Sequence, residues 1–144
     1  MGTLIVYYSR NGGTRKAAEA LAEEIGAELA EIRETRKRRG FFGFMRSGFE
    51  SATKRIVPIL PLEPACDLAS YDRVILATPV WAGGLASPMR SFLAAHAAEI
   101  RDHGVLVTHS APDDSYAPVM DAVDAVVGRK RSFERSVVSD LHVG

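Results

Sequence analysis

The chain has 144 residues, 47% of them apolar and 25% charged, with a formal net charge of zero. That composition suits one globular domain over residues 1–144 and argues against a dedicated nucleic-acid binder. The single cysteine, Cys66, excludes an internal disulfide framework, no apolar run is long enough to span a bilayer, and residues 4–8 are too short and lack the basic lead of a secretion signal, so a cytoplasmic location is expected.

In chain order, residues 4–8 are an apolar run that predicts a first strand. Residues 14–25 predict a helix, because Ala17, Ala18, Leu21, Ala22 and Ile25 recur at helical spacing and Gly26 supplies a C-terminal cap. Residues 28–32 alternate polar and apolar side chains, as a half-exposed strand does. Next comes a basic, aromatic insertion at about 36–55. Between Arg33 and Arg55 eight basic residues face only two acidic ones, Glu34 and Glu50, and Phe41, Phe42, Phe44, Met45 and Phe49 are interspersed with glycines. The spacing there suggests an amphipathic helix, and a solvated charged turn over a closing aromatic cluster fits equally. Residues 73–77 and 104–108 are continuous apolar runs, the mark of central parallel strands buried on both faces. Helices are expected at 88–98 and 116–127, the first opened by Pro88 and the second ended by Gly128, and a last strand at 136–140. Strand and helix alternate, so the fold class is α/β, a parallel sheet with helices on both faces.

The turn after the first strand, Ser9-Arg10-Asn11-Gly12-Gly13-Thr14, leads directly into a helix. Backbone N–H groups at a helix N-terminus favour an anion, short polar side chains add hydrogen bonds, and glycine permits close approach. The spacing fits neither a Walker loop nor a dinucleotide fingerprint; an ordinary capped turn is the plainer alternative. The pattern resembles the flavodoxin phosphate loop. A second run, Thr78-Pro79-Val80-Trp81-Ala82-Gly83 followed by Ser87-Pro88-Met89-Arg90-Ser91-Phe92-Leu93, is closely similar to the flavodoxin-like loop that lies against the flavin ring. Trp81 there offers a flat face for stacking, or else fills the core. After the fourth strand, His109, Ser110 and Tyr116 stand where flavodoxins border the flavin; Tyr116 reads equally well as a packing residue and His109 as an ordinary loop histidine.

The resemblance implies a doubly wound, five-stranded sheet of order 2-1-3-4-5 that binds FMN outside the carboxyl ends of its strands. Ser9 to Thr14 would hold its phosphate, and Thr78 to Gly83 with His109, Ser110 and Tyr116 its ring. It also implies electron transfer carried by the cofactor, with no catalytic side chain and with Gly83 and Gly84 allowing the ring loop to turn. Related folds fail at these loops. A low-molecular-weight phosphatase needs a cysteine in the first one, and a response-regulator receiver needs acidic residues where Ser9 and Thr78 stand. The histidines His96, His103, His109 and His142 show no metal-ligand spacing, and no metal is expected.

Three functions stay open: a one-electron carrier that docks with a redox partner protein, an NAD(P)H-dependent reductase of a quinone or other small acceptor, and a flavin-free interaction domain. The basic insertion leans mildly toward the second, or toward an acidic partner or anionic surface. Flavodoxins close with a helix after the fifth strand, whereas this sequence stops at residues 139–144. An uncovered apolar sheet face, met by a homodimer partner, is the expected consequence.

Overall fold

Strands whose side chains are apolar on both sides of the backbone occupy the middle of the sheet. The computed structural model describes residues 2–35, 43, 45–47, 49, 56–81, 84–109 and 116–138. The elements are β1 (Thr3–Tyr7), α1 (Gly13–Ile25), β2 (Glu28–Glu31), β3 (Arg73–Trp81), β4 (Gly84–Leu85), α2 (Ser87–His96), β5 (His103–His109), α3 (Ala117–Val127) and β6 (Phe133–Val138). Short 3-10 turns occur at Leu68–Ser70 and Ala97–Glu99. The sheet runs β2-β1-β3-β5-β6, every neighbour parallel, and β4 is a two-residue antiparallel addition to the end of β3. Leaving β4 aside, this is the expected 2-1-3-4-5 order.

Side chains alternate across each strand, so every central strand feeds two cores. Ile5, Tyr7, Ile75, Ala77 and Leu106 pack with Ala18, Leu21 and Ala22 of α1. On the other face Leu4, Val6, Val74, Leu76, Val105 and Val107 share a core with Met89, Phe92 and Leu93 of α2 and Val119, Met120 and Val123 of α3. Left-handed glycines end α1 and α3, Gly26 at φ 71° and Gly128 at φ 91°, a backbone region that a Cβ disfavours.

The structure departs most from the sequence expectation at three places. β3 continues through Pro79 to Trp81, β4 was not expected, and β6 begins at Phe133 rather than residue 136. The cause is visible in β6, an edge strand whose half-buried Phe133, Arg135 and Val137 alternate with exposed Glu134, Ser136 and Val138; its first half carries two charges and gives no apolar run. The segment 57–64 also returns to pair beside β2: the Leu60 amide donates to the Arg33 carbonyl, and Glu31 and Glu63 exchange backbone bonds. This antiparallel pairing occupies the outer edge of β2. Of the basic insertion, only residues 43, 45–47 and 49 are described, all helical. Arg36, Lys37, Arg38, Arg39, Phe41, Phe42, Phe44, Lys54 and Arg55 lie outside the described residues, as do 139–144.

On the α1 side of β6, Phe133 and Val137 pack against the core and Arg135 lies between them in sequence. Phe133 lies between the guanidinium groups of Arg73 and Arg135, each 5.5 Å from its ring centroid. Arg135 in turn donates twice to Glu24 of α1, at 2.9 and 3.1 Å. At the amino end of the sheet, buried His103 meets Asp124 through Nε2 at 2.7 Å, and Arg131 bonds Asp121, Asp124 and Glu134. Among the described residues no helix is long and apolar enough to cross a membrane.

One close approach lies between neighbouring strands and one bond joins α1 to the sheet. A Cβ on Gly104 would lie 2.8 Å from the Phe133 Cβ and 3.2 Å from Ile75 Cγ1, so Gly104→Ala should lower unfolding stability by about 1–3 kcal/mol in urea titration. An unchanged midpoint would contradict this packing. The fully buried hydroxyls of Thr14 in α1 and Thr108 in β5 are 2.7 Å apart. Thr14→Val alone strands the other hydroxyl and should cost about 1–3 kcal/mol, whereas the double change to valine should recover part of that loss.

Candidate functional site

All five parallel strands point the same way, so the segments following β1, β3 and β5 open at one edge of the sheet. The first is a tight turn. The Gly12 amide donates to Ser9 Oγ at 2.8 Å, Gly12 adopts φ 96°, and its carbonyl accepts the Lys16 amide at 3.0 Å. A side chain at position 12 would be strained in that backbone. α1 starts at Gly13 with no acidic residue in its first turn, so the positive end of the helix is not neutralised locally. Ser9 accepts from Gly12 and Thr14 is bonded to Thr108; hydroxyl oxygens carry two lone pairs, and both can accept or donate further bonds.

From the second segment, Thr78 and Pro79 are buried and Val80 is half-buried; the Thr78 hydroxyl donates to the Pro79 carbonyl at 3.0 Å. Trp81 departs from its reading as a stacking platform. It is 1% exposed, in a core with Leu85, Met89 and Phe92, and meets Tyr8 edge to face at a centroid distance of 5.6 Å. Burying the largest side chain of the chain against a β-hairpin end gains more apolar contact than presenting it to water. Ala82 and Gly83 lie outside the described residues.

From the third segment, His109 is the last residue of β5 and 6% exposed. Its Nε2 is 2.6 Å from Ser136 Oγ of β6, and its ring lies on Tyr116 with centroids 4.1 Å apart and planes tilted by 32°. A side chain fixed by a hydrogen bond and a ring contact is not the exposed loop histidine of the plainer reading. Tyr116, directly before α3, packs on His109. Ser110 lies outside the described residues. Beside this pair a cavity of about 170 Å³ is lined by Tyr116, Ala117, Met120, Glu134, Arg135 and Ser136.

The structure adds residues that sequence spacing did not mark. Tyr8 directly follows the first strand and donates from its hydroxyl to Glu34 at 2.7 Å, fastening the rim to the segment that leads into the basic insertion. Thr108 and Ser136 hold Thr14 and His109 from strands next to or opposite them. Thr108 sat in plain view at the end of an apolar run; pairing with a residue 94 positions away has no local signal. β1 and β5 thus deliver a polar, glycine-bearing turn and a histidine–tyrosine pair to the same edge. Such an edge can hold a ligand with an anionic tail and a flat head.

No family model matches the sequence, and no curated protein matches it. Solved structures do. The chain is similar to a flavoprotein of Lactobacillus acidophilus crystallised in complex with FMN, at TM-score 0.77 and 21% identity over 94% of this chain and 92% of that one. It is similar to a protein of Bacteroides eggerthii at TM-score 0.75 and 18% identity, covering 95% and 87% of the two chains. A flavodoxin, WrbA-like protein of Agrobacterium tumefaciens aligns at TM-score 0.57 and 20% identity over 90% and 74%. Strand order, parallel pairing and these likenesses together establish that the chain has the flavodoxin-like fold.

Proposed function

We propose that the chain is an FMN-binding redox protein acting in electron transfer. The observation that carries this reading is the Ser9–Gly12 turn, with its left-handed Gly12, opening onto the first turn of α1 at the edge where β3 and β5 also end. The fold shared with the Lactobacillus flavoprotein that was crystallised with FMN supports it.

The residues present suit that cofactor. Ser9 Oγ, the Asn11 side chain and the first amides of α1 are the groups to receive a phosphate, because helix-terminal N–H groups have no acceptor within the helix. Thr14, tied to Thr108, fixes where that turn sits relative to β5. Backbone around Thr78 to Gly83, with His109 and Tyr116, would flank the ring, while Trp81 forms the wall behind the ring loop rather than a stacking face. FMN, when bound, supplies one- and two-electron chemistry. The protein contributes a rim of buried groups, whose low dielectric disfavours added negative charge, and a His109 ring held in one orientation by Ser136 and Tyr116.

A reductase that takes hydride from NAD(P)H and reduces a small acceptor is the second reading, supported by the basic insertion and by Arg90 in the first turn of α2. Rapid mixing of the FMN-loaded protein with NADPH separates the two. Bleaching of the flavin within the mixing experiment selects the reductase, and persistence of the oxidised spectrum selects the carrier.

Fluorescence-quenching titration of the purified protein with FMN should saturate at one equivalent. Gly12→Val, which forces a β-branched residue to φ 96°, should weaken that binding by about tenfold or more, the affinity equivalent of the 1–3 kcal/mol cost of such a backbone. Equal affinity in the variant, with its circular dichroism unchanged, would contradict the assignment of the turn.

A further inference from the structure

The basic insertion is clamped to the body of the molecule at both ends. On the way out, the Arg33 carbonyl accepts the Leu60 amide at 2.7 Å, and Glu34 pairs with Ile59 in an antiparallel bridge. On the way back, the Val57 amide donates to Ser91 Oγ of α2 at 2.7 Å. The chain thus leaves the edge of the sheet at Glu34 and is beside it again by Ile59. Between these points residues 35–56 carry seven basic side chains against one acidic, Glu50, although the whole chain is neutral.

The helical residues of this excursion face the wrong way for a helix that serves only its own fold. Gly43 and Ser47, four apart and so on one face, are buried, and the Ser47 hydroxyl donates to the Gly43 carbonyl at 2.8 Å. Met45 and Phe49, also four apart but on the opposite face, are 55% and 57% exposed. A surface helix ordinarily buries its large apolar side chains and wets its small and polar ones. Ile56, just before the second anchor, is 61% exposed. Of the five large apolar side chains exposed among the described residues, three therefore fall between residues 45 and 56. Exposed apolar residues scattered singly need no explanation, whereas a concentration of them in one stretch marks a surface that something covers.

We infer that the Met45–Phe49 face docks on a membrane, seating in the interface of a bilayer that contains anionic lipid. Large apolar side chains along one stripe of a helix, within a sequence rich in Lys and Arg, are the composition of a segment that lies in the plane of the headgroups. The basic residues supply the attraction to an anionic surface. The apolar stripe favours lipid over an acidic protein: charge serves either partner, but acyl chains close around protruding Met and Phe side chains without a preformed pocket. Docking of this kind needs no bound flavin.

The test sediments the purified chain with vesicles of phosphatidylcholine alone and of equal parts phosphatidylcholine and phosphatidylserine. The protein should bind the mixed vesicles, come off them as salt is raised and the Debye length shrinks, and stay free of phosphatidylcholine alone. Met45→Ser combined with Phe49→Ser removes the apolar stripe and keeps every charge. With its circular dichroism unchanged, that variant should bind the mixed vesicles about tenfold more weakly or worse. In Phe49→Trp, the new indole should shift its emission to the blue when mixed vesicles are added, over a constant background from Trp81, which is buried; this reading decides the matter if the double variant does not fold. No binding to the mixed vesicles, equal binding to phosphatidylcholine alone, equal affinity of the serine variant, or an unshifted emission each overturns the inference. A wild type that sediments as a dimer, with a monomeric serine variant, assigns the face to a second copy of the chain and overturns it as well.

Discussion

Parallel pairing of β1, β3 and β5 is the constraint on which the rest depends. Strands that run the same way must all discharge their following segments at one edge, and a parallel sheet is stable only when both faces are covered. The register therefore does two jobs. Leu4 opposite Val74, and Val74 opposite His103, align the amino ends, which fixes Tyr7, Thr78, Pro79 and His109 within a short distance of one another at the other end. The apolar split between the two cores holds this register, since a slip of one residue would turn Ile5 and Ile75 to the wrong face.

Chemistry and stability are segregated along the strands. Around His103, Asp124 and Arg131 with Asp121 and Glu134 tie β5, α3 and β6 together at the amino end, while His103 Nδ1 is buried and unbonded. The carboxyl end carries Gly12 in the left-handed region and the first amides of α1 with no acidic residue beside them. Helix-terminal amides opening at one edge of the sheet are what an anionic ligand requires.

What the sequence made legible was whatever local periodicity or turn chemistry encodes. β1, β3 and β5 show as unbroken apolar runs, α1 as Ala18, Leu21 and Ala22 at helical spacing closed by Gly26, and the Ser9–Thr14 turn as a hydroxyl and two glycines before a helix. Contacts across the fold were not legible. Trp81 looks the same on paper whether it faces a ligand or Tyr8, and only the β3–β4 pairing decides that it is buried. The return of 57–64 beside β2, the Thr14–Thr108 bond and the His109–Ser136 bond join residues tens of positions apart.

The central claim is that one edge, assembled from three segments, receives a single ligand by its phosphate and its ring. Amide-resolved NMR of the isotope-labelled protein during addition of FMN tests it most directly. The account predicts shifts concentrated at Gly12, Gly13 and Thr14 together with Thr78, His109 and Tyr116, with the amino-end residues His103, Asp124 and Arg131 unmoved. Shifts spread over the surface, confined to one of the three segments, or absent at saturating FMN would contradict it.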